Sequence, residues 1–330
     1  MRSPGGERRG AVPAGPHGEA REGRVPRLSL PPDRALRILW PTAQMCERVF
    51  KGIRMSENIP FWLRLVHRAD GLFLRAVQAG IRFFRHLFYF SVLGDRGLQF
   101  VTDLHYGGHA SYDSDAHNRR GLFPWEAEAL EKYFGNGKRF LVTSCGGGRE
   151  VLALAERGCE VVGTECHRGL CRMAERICET LGNAEIHCLP PEEIPHTSVP
   201  FDGVIVGWGG YTHLAPRSRR VAYLRKIRDI TRPGGSVLVS YLEKPRAGDR
   251  SIEWPRMIAN ILRRLTFRRQ LEPGDTISIV GYSHRFAPSE AANEAREAGL
   301  EVIWESAAPH MSVGPYPHLV ARRQIEPGSS

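Results

Sequence analysis

The chain has 330 residues, 42% of them hydrophobic, enough to bury a full core in one large domain or two. A formal charge of +10 permits an acidic partner such as nucleic acid or an anionic membrane. Seven cysteines, an odd number without any CxxC, argue against a disulfide framework or a zinc site and for buried thiols in a reducing, cytoplasmic setting. No apolar h-region follows the basic N-terminus, and no stretch reaches the roughly 18 uncharged apolar residues of a spanning helix.

Residues 1–54 are rich in Gly, Pro and Arg without hydrophobic periodicity, which predicts a disordered basic arm. Met55 is an alternative start, and a nucleic-acid-binding arm the alternative role. Residues 55–120 read as a helical extension followed by a lid. Within 59–93, Phe61, Trp62, Leu65, Val66, Leu72, Phe73, Val77, Phe84, Leu87 and Phe88 form a wide apolar face. Arg64, Arg68, Arg75, Arg82 and Arg85 recur opposite it at helical spacings. Gly71 and Gly80 are expected to break this segment into shorter helices that pack on the rest of the chain. The alternative is an interfacial helix on anionic lipid, giving a membrane-peripheral protein. Residues 103–120, DLHYGGHASYDSDAHNRR, are polar and predict a lid over a site. His105, His109, His117, Asp113 and Asp115 are ligand types, but Gly107-Gly108 breaks any helical His-x-x-x-His face, so no metal is expected.

Pro124 sits at a tolerated first-turn position of a helix through Trp125, Ala129, Leu130 and Phe134, and Gly135-Asn136-Gly137 turns the chain into a strand. That strand, Phe140-Leu141-Val142, ends at Ser144-Cys145-Gly146-Gly147-Gly148. A helix with Val151, Leu152, Leu154 and Ala155 on one face follows, closed by Gly158 in the left-handed region. Val161 and Val162 form a second buried strand ending at Glu165, about twenty residues beyond the glycines. A βαβ unit of this kind places a helix N-terminus and a glycine gap at the strand ends, with an acid able to accept ribose hydroxyls. It is a nucleoside-cofactor half-site.

At these residues the chain resembles the class I S-adenosylmethionine-dependent methyltransferases. Their motif is an acid, three alternating glycines, then an acid closing the second strand. Gly146 and Gly148 match the second and third glycines and Glu165 the ribose acid. Val142 stands where the family has the first acid, and Ser144 where it has the first glycine. The resemblance implies cofactor contacts from Ser144, Cys145, Gly146, Gly147, Gly148, Glu165 and Cys166. The family's adenine-side acid has Pro190 at its place, so that contact would fall to backbone groups or Glu192.

Beyond Glu165, a helix over 167–181 carries Leu170, Cys171, Ala174, Ile177 and Cys178 on one face, and Ile186–Leu189 form a third strand. Phe201–Val206 is a buried strand opening into Gly207-Trp208-Gly209-Gly210-Tyr211, where open α/β sheets bind ligands. The resemblance places the methyl-transfer site there, with Gly207 and Trp208 beside the cofactor. This run does not match the Asp/Asn-Pro-Pro-aromatic motif of relatives that methylate base amino groups. A basic helix (216–230), a Pro233-Gly234-Gly235 turn into a Val/Leu strand, a basic amphipathic helix (251–269) and a strand at 276–282 follow. A helix then begins at Ser289 and stops at Gly299, and strands at 300–305 and 317–322 resemble the family's terminal antiparallel hairpin.

The resemblance covers 121–323. It implies an α/β fold: a doubly wound, mostly parallel seven-stranded sheet with a terminal antiparallel strand, preceded by the N-terminal helical extension. Residues 121–330 form the S-adenosylmethionine-binding domain, with a helical insertion near 244–274. The expected activity is methyl transfer to an O or N atom of a small-molecule or lipid-like acceptor, with S-adenosylmethionine as cofactor. If the acceptor must lose a proton, His213, Tyr211, His284 and Asp113 are the candidate bases. Competing readings are an RNA methyltransferase, an NAD(P)-dependent oxidoreductase on the same half-site, and an inactive membrane- or nucleic-acid-associated binding protein.

Overall fold

The structure is a computed structural model that describes residues 60–106, 114–207, 209–244, 250–278, 281–306 and 317–325. The chain divides into two units, Met1–Asp70 and Gly71–Ser330. The basic arm 1–54 lies outside the described residues, as do Asp113, Trp208 and the middle of the expected lid. The first unit contributes residues 60–70, the opening turns of helix α1 (Phe61–Val92), all of them exposed.

Seven strands form the central sheet: β1 (Arg139–Thr143), β2 (Glu160–Glu165), β3 (Ala184–Cys188), β4 (Phe201–Val206), β5 (Thr231–Ser240), β8 (Leu300–Glu305) and β9 (His318–Arg323). Their order is β3-β2-β1-β4-β5-β9-β8. Strands β1 to β5 are parallel, and β9 runs antiparallel between β5 and β8. The chain reverses its strand order beside β1, which puts a crevice at the carboxyl ends of β1 and β4.

Alternation along the strands splits the core into two layers. Leu141, Val204, Val206, Val237, Val239 and Leu319 point to one face, under α7 (Arg217–Ile230) and α9 (Glu290–Glu297). Phe140, Val142, Ile205, Leu238 and Val320 point to the other, under α4 (Pro124–Tyr133), α5 (Arg149–Ala155) and α6 (Arg168–Cys178). Each side chain so buried contributes about 1.5–3 kcal/mol. Helix α5 ends where Gly158 takes φ 81°, as its sequence position implies, and Gly299 (φ 83°) ends α9 in the same way.

A smaller layer stands beside this sheet. It contains the C-terminal part of α1, α2 (Asp95–Tyr106), α8 (Arg250–Leu265) and a two-stranded sheet, β6 (Asp275–Ser278) and β7 (Gly281–His284). Phe90, Leu98, Ala259, Leu271, Ile277 and Tyr282 form its core. The single strand expected at 276–282 is thus an antiparallel pair. Gly281 (φ 82°) opens β7 against α2, where a Cβ would lie 2.5 Å from Thr102 Cα.

Two expectations for the helical extension need correcting. Gly71 and Gly80 do not break it: α1 runs unbroken, since neither glycine is left-handed and their neighbours are good helix formers. Nor is its aromatic face packed. Of its 32 residues only His86 and Phe90 are buried.

Candidate functional site

The turn after β1 is built by backbone conformation. Ser144, Gly146 and Gly148 take φ of 50°, 56° and 90°, alternating left-handed residues that fold the chain back on itself. Ser144 therefore holds the conformation of a glycine although it carries a side chain. Within the turn, Gly148 N–H donates to Cys145 C=O at 2.9 Å, and Cys145 N–H donates to Thr164 C=O at 3.0 Å, tying the turn to β2. At Gly146 a Cβ would meet nothing within 4 Å, so the concave side of the bend is open.

Glu165 closes β2 beside this bend, 7% exposed. Its Oε2 accepts the Gly146 N–H at 2.8 Å, and its Oε1 accepts the N–H groups of Cys166 and His167 at 2.9 Å. The bend and the carboxylate face one cleft of about 1090 Å³, open mouth included. The glycine bend, Thr164–His167 and Pro190–Glu193 line one side of it, and Thr102, Asp103 and Tyr106 of α2 with His213 line another.

His213 lies in the short turn after β4, Gly210–His213. Its Nδ1 is 2.7 Å from the Tyr282 carbonyl, which can only accept, so Nδ1 carries the proton. Nε2 is then a free base that accepts from the Tyr106 hydroxyl at 2.7 Å. Burial pushes the His213 imidazole below its ordinary pKa, which keeps it neutral.

The cleft gathers eight of the expected residues: Ser144, Cys145, Gly146, Gly147, Glu165, Cys166, Glu192 and His213. Glu192 is bonded to Arg219 (Oε1 to Nη2, 2.7 Å) as it faces the cleft. Burial raises the Cys145 and Cys166 thiols, so neither is a thiolate. Gly148 and Gly207 support the bend without lining the cleft. A Cβ on Gly148 would lie 3.0 Å from Ala174, and Gly207 N–H donates to Thr143 C=O at 2.7 Å.

Two of the candidate bases are elsewhere. Tyr211 is wholly buried, donates to Glu294 Oε2 at 2.5 Å, and stacks on Phe286. His284 is clamped between Asp275 Oδ1 (2.9 Å) and Glu290 Oε1 (3.1 Å), in the small layer. Tyr211 follows β4 and His284 is the last residue of β7, both at strand ends as expected of site residues, but each turns into a buried charge network. In that network Glu272, Asp275 and His284 are ligand types close together. Arg220 already pairs with Glu272 at 2.9 Å, and Arg269 lies 3.6 Å from Asp275.

Sequence reasoning missed Tyr106, Asn118 and the pair Arg149–Glu126. Asn118, in α3 (Asp115–Asn118), sits against Gly147, where a Cβ would lie 2.3 Å from its Nδ2. Arg149 opens α5 and makes a two-pronged ion pair with Glu126, both bonds 2.7 Å, its guanidinium 3.9 Å above the Phe123 ring. Glu150 beside it is raised to about 7, by burial first, and faces the cleft. The density of Asp, His and Tyr around Tyr106 was the only signal of its role.

Residues 140–235 match the family model described as methyltransferase domain. No curated protein matches the chain. Among solved structures, a SAM-dependent methyltransferase from Methanosarcina mazei is 16% identical, covering 62% of this chain and 100% of that one, with a TM-score of 0.50. That likeness is one of fold. The 1,6-didemethyltoxoflavin-N1-methyltransferase of Burkholderia thailandensis is 18% identical over 69% of this chain and 90% of that one, with a TM-score of 0.49. The amino pentose methyltransferase CalS10 of Micromonospora echinaspora is 16% identical over 64% of this chain and 96% of that one, with a TM-score of 0.45.

Proposed function

We propose that this chain, which carries a class I S-adenosylmethionine-dependent methyltransferase domain, moves a methyl group to an O or N atom of a small-molecule or lipid-like acceptor. The observation that supports it is the open glycine bend facing the buried Glu165 carboxylate across one cleft, with the Tyr106–His213 pair lining the same cleft.

The residues present fit the cofactor. Backbone groups of Ser144–Gly147 would hold the methionine arm, Glu165 the ribose, and Pro190–Glu193 the adenine. A carboxylate offers about four lone-pair sites. Three N–H groups already occupy Glu165, so one ribose hydroxyl would find a free site and the second would share. When bound, S-adenosylmethionine supplies a methyl activated by its own sulfonium, so the protein's task is alignment and exclusion of water.

The acceptor's proton is the remaining problem. His213 Nε2 is neutral and faces the cleft through the Tyr106 hydroxyl, so it would take that proton either directly or through Tyr106. Contact with an anionic membrane through residues 59–93 is part of the reading, supported by the exposed apolar face of α1 and its arginines. Thermal stabilisation by S-adenosylmethionine and S-adenosylhomocysteine, set against NADH and NADPH, tests the cofactor. Stabilisation by the nicotinamides alone would overturn it.

A further inference from the structure

Helix α2 joins the cleft to a bare apolar surface. Thr102, Asp103 and Tyr106 line the cleft on one side of it, whereas Phe100 and Leu104, one turn apart, are exposed on another. Helix α1 presents Phe73, Val77, Ile81, Phe84 and Phe88 to solvent, three or four residues apart and so on one face. Helix α8 does the same with Trp254, Met257, Ile261 and Leu265.

The ends of these two helices are fastened together. The buried Arg263 of α8 donates through Nη1 to the carbonyls of Phe90 (3.0 Å) and Leu93 (2.8 Å), and Arg268 donates to that of Val92 (2.9 Å). The two stripes therefore belong to one layer with α2. Exposed patches of this extent are covered in a working protein, so the question is by what.

Charge answers it. From Gly71 onward α1 carries Arg75, Arg82 and Arg85 and no acid, Arg85 being turned inward to the Ser278 carbonyl. Helix α8 carries Arg250, Arg256, Arg263 and the exposed Arg264 against a single acid, the exposed Glu253, so the layer is net basic. Aromatic and branched apolar residues combined with arginine suit the boundary of an anionic bilayer. There the rings enter the acyl edge, and exposed arginines such as Arg75 and Arg264 reach the phosphates. No helix among the described residues is long and apolar enough to cross a membrane.

We propose that α1, α2 and α8 form a plate that lies on an anionic bilayer, and that the methyl acceptor is an amphiphile drawn from it. Its polar head reaches Tyr106 and His213, while its apolar part stays along Phe100 and Leu104. The acceptor half rests on the methyltransferase reading above, and the membrane half does not.

The test is cosedimentation of the full chain with vesicles of phosphatidylcholine alone and of phosphatidylcholine with phosphatidylserine, alongside a variant carrying Trp254→Ser, Ile261→Ser and Leu265→Ser. Calorimetric binding of S-adenosylmethionine shows that the variant still folds. The plate predicts binding to the anionic vesicles, weakened by salt, and a partition coefficient roughly tenfold lower or less in the variant with cofactor affinity unchanged. Equal binding to both vesicles, unchanged binding of the variant, or a salt-resistant dimer that ignores vesicles would overturn it. Vesicle binding without cofactor binding would keep the plate and overturn only the methyl transfer. With methyl-labelled S-adenosylmethionine and a total lipid extract, label must enter the organic phase; label that never leaves the aqueous phase overturns the amphiphile.

Discussion

The Tyr106 hydroxyl donates to His213 Nε2 at 2.7 Å, although 107 residues separate the two in sequence. The bond joins the last turn of α2 to the turn after β4, and it fixes which nitrogen of the imidazole faces the cleft. If that nitrogen is the base, His213→Ala should lower kcat about a hundredfold or more and leave the cofactor Kd within about a factor of two. Tyr106→Phe should cost less, about tenfold. Because burial lowers the imidazole pKa, the neutral form persists to lower pH. The acid limb of kcat against pH should then fall below the ordinary imidazole value of about 6.5. A limb above it, or a loss confined to KM, would remove His213 from this role.

Glu165→Ala tests the ribose assignment. Removing the carboxylate loses its hydrogen bonds to the sugar and frees the N–H groups of Gly146, Cys166 and His167. Bonds to a charged group are worth about 1.5–3 kcal/mol each, so the cofactor Kd should rise about tenfold or more. Glu165→Gln, which keeps the shape and one acceptor, should fall between. Equal affinities by calorimetry would mean that the ribose lies elsewhere.

Much of this architecture is legible in the sequence, for an identifiable reason. Runs such as Phe140-Leu141-Val142 and Val204-Ile205-Val206 are buried on both faces, and Gly146, Gly148 and Gly158 sit where positive φ is required, so local chemistry and final structure agree. The cleft's far wall is not legible, because the pairing of Tyr106 with His213 is set by packing between distant elements. Tyr211 and His284 show the opposite failure. Both stand at strand ends, but backbone direction turns them toward Glu294 and Asp275, and nothing local encodes that direction. The exposure of α1 was unreadable too, since an amphipathic pattern is the same whether its face meets protein or lipid.

The His284 clamp should make stability depend on pH in two directions. Burial pushes the His284 pKa down, but its bonds to Asp275 and Glu290 outweigh that and raise it. Burial likewise pushes Glu290 up, yet His284 and the Ala287 N–H bring it to about 2. A raised histidine stabilises the fold below its unfolded pKa, about 6.5, and loses that contribution as pH rises through the folded value. A depressed carboxylate stabilises above its unfolded value of 4.5 and loses its contribution as pH falls toward 2. The melting temperature should therefore be highest between about pH 4.5 and 6.5 as far as this clamp contributes. Glu290→Gln should flatten the acid limb and His284→Gln the alkaline one; unchanged profiles in both would show that the clamp is not charged.

Glu126 should be more sensitive than its distance from the cleft chemistry suggests. It holds the buried Arg149 by two bonds of 2.7 Å and also accepts the Phe123 N–H at the start of α4. Glu126→Ala leaves a guanidinium buried against Phe123 with Glu150 as its remaining carboxylate partner. Breaking one side of such a pair costs about 3–5 kcal/mol. For a domain of this size that lowers Tm by about 6–20 °C. Replacing both partners, Glu126→Leu with Arg149→Met, should recover a large part of the loss, which a purely local capping role for Glu126 would not allow.

The floor of the cleft depends on one missing side chain. Gly207 follows β4, and its N–H donates to Thr143 C=O at 2.7 Å. A Cβ there would lie 2.4 Å from the Ser144 carbonyl oxygen and 2.7 Å from that of Thr143. Both contacts are backbone, so nothing flexible can yield, and β1 and β4 must separate where Ser144 enters its left-handed turn. Gly207→Ala should therefore destabilise by about 1–3 kcal/mol, the cost of overpacking. It should also raise the cofactor Kd about tenfold, since a bend displaced by ångströms no longer presents its N–H groups together. Gly182→Ala is the matched control: its Cβ meets nothing within 4 Å and its φ is not left-handed, so the change should be neutral or stabilise by about 0.4–1 kcal/mol through the unfolded chain. If the two variants melt alike and bind the cofactor alike, the close approach of β1 and β4 does not set the shape of the site.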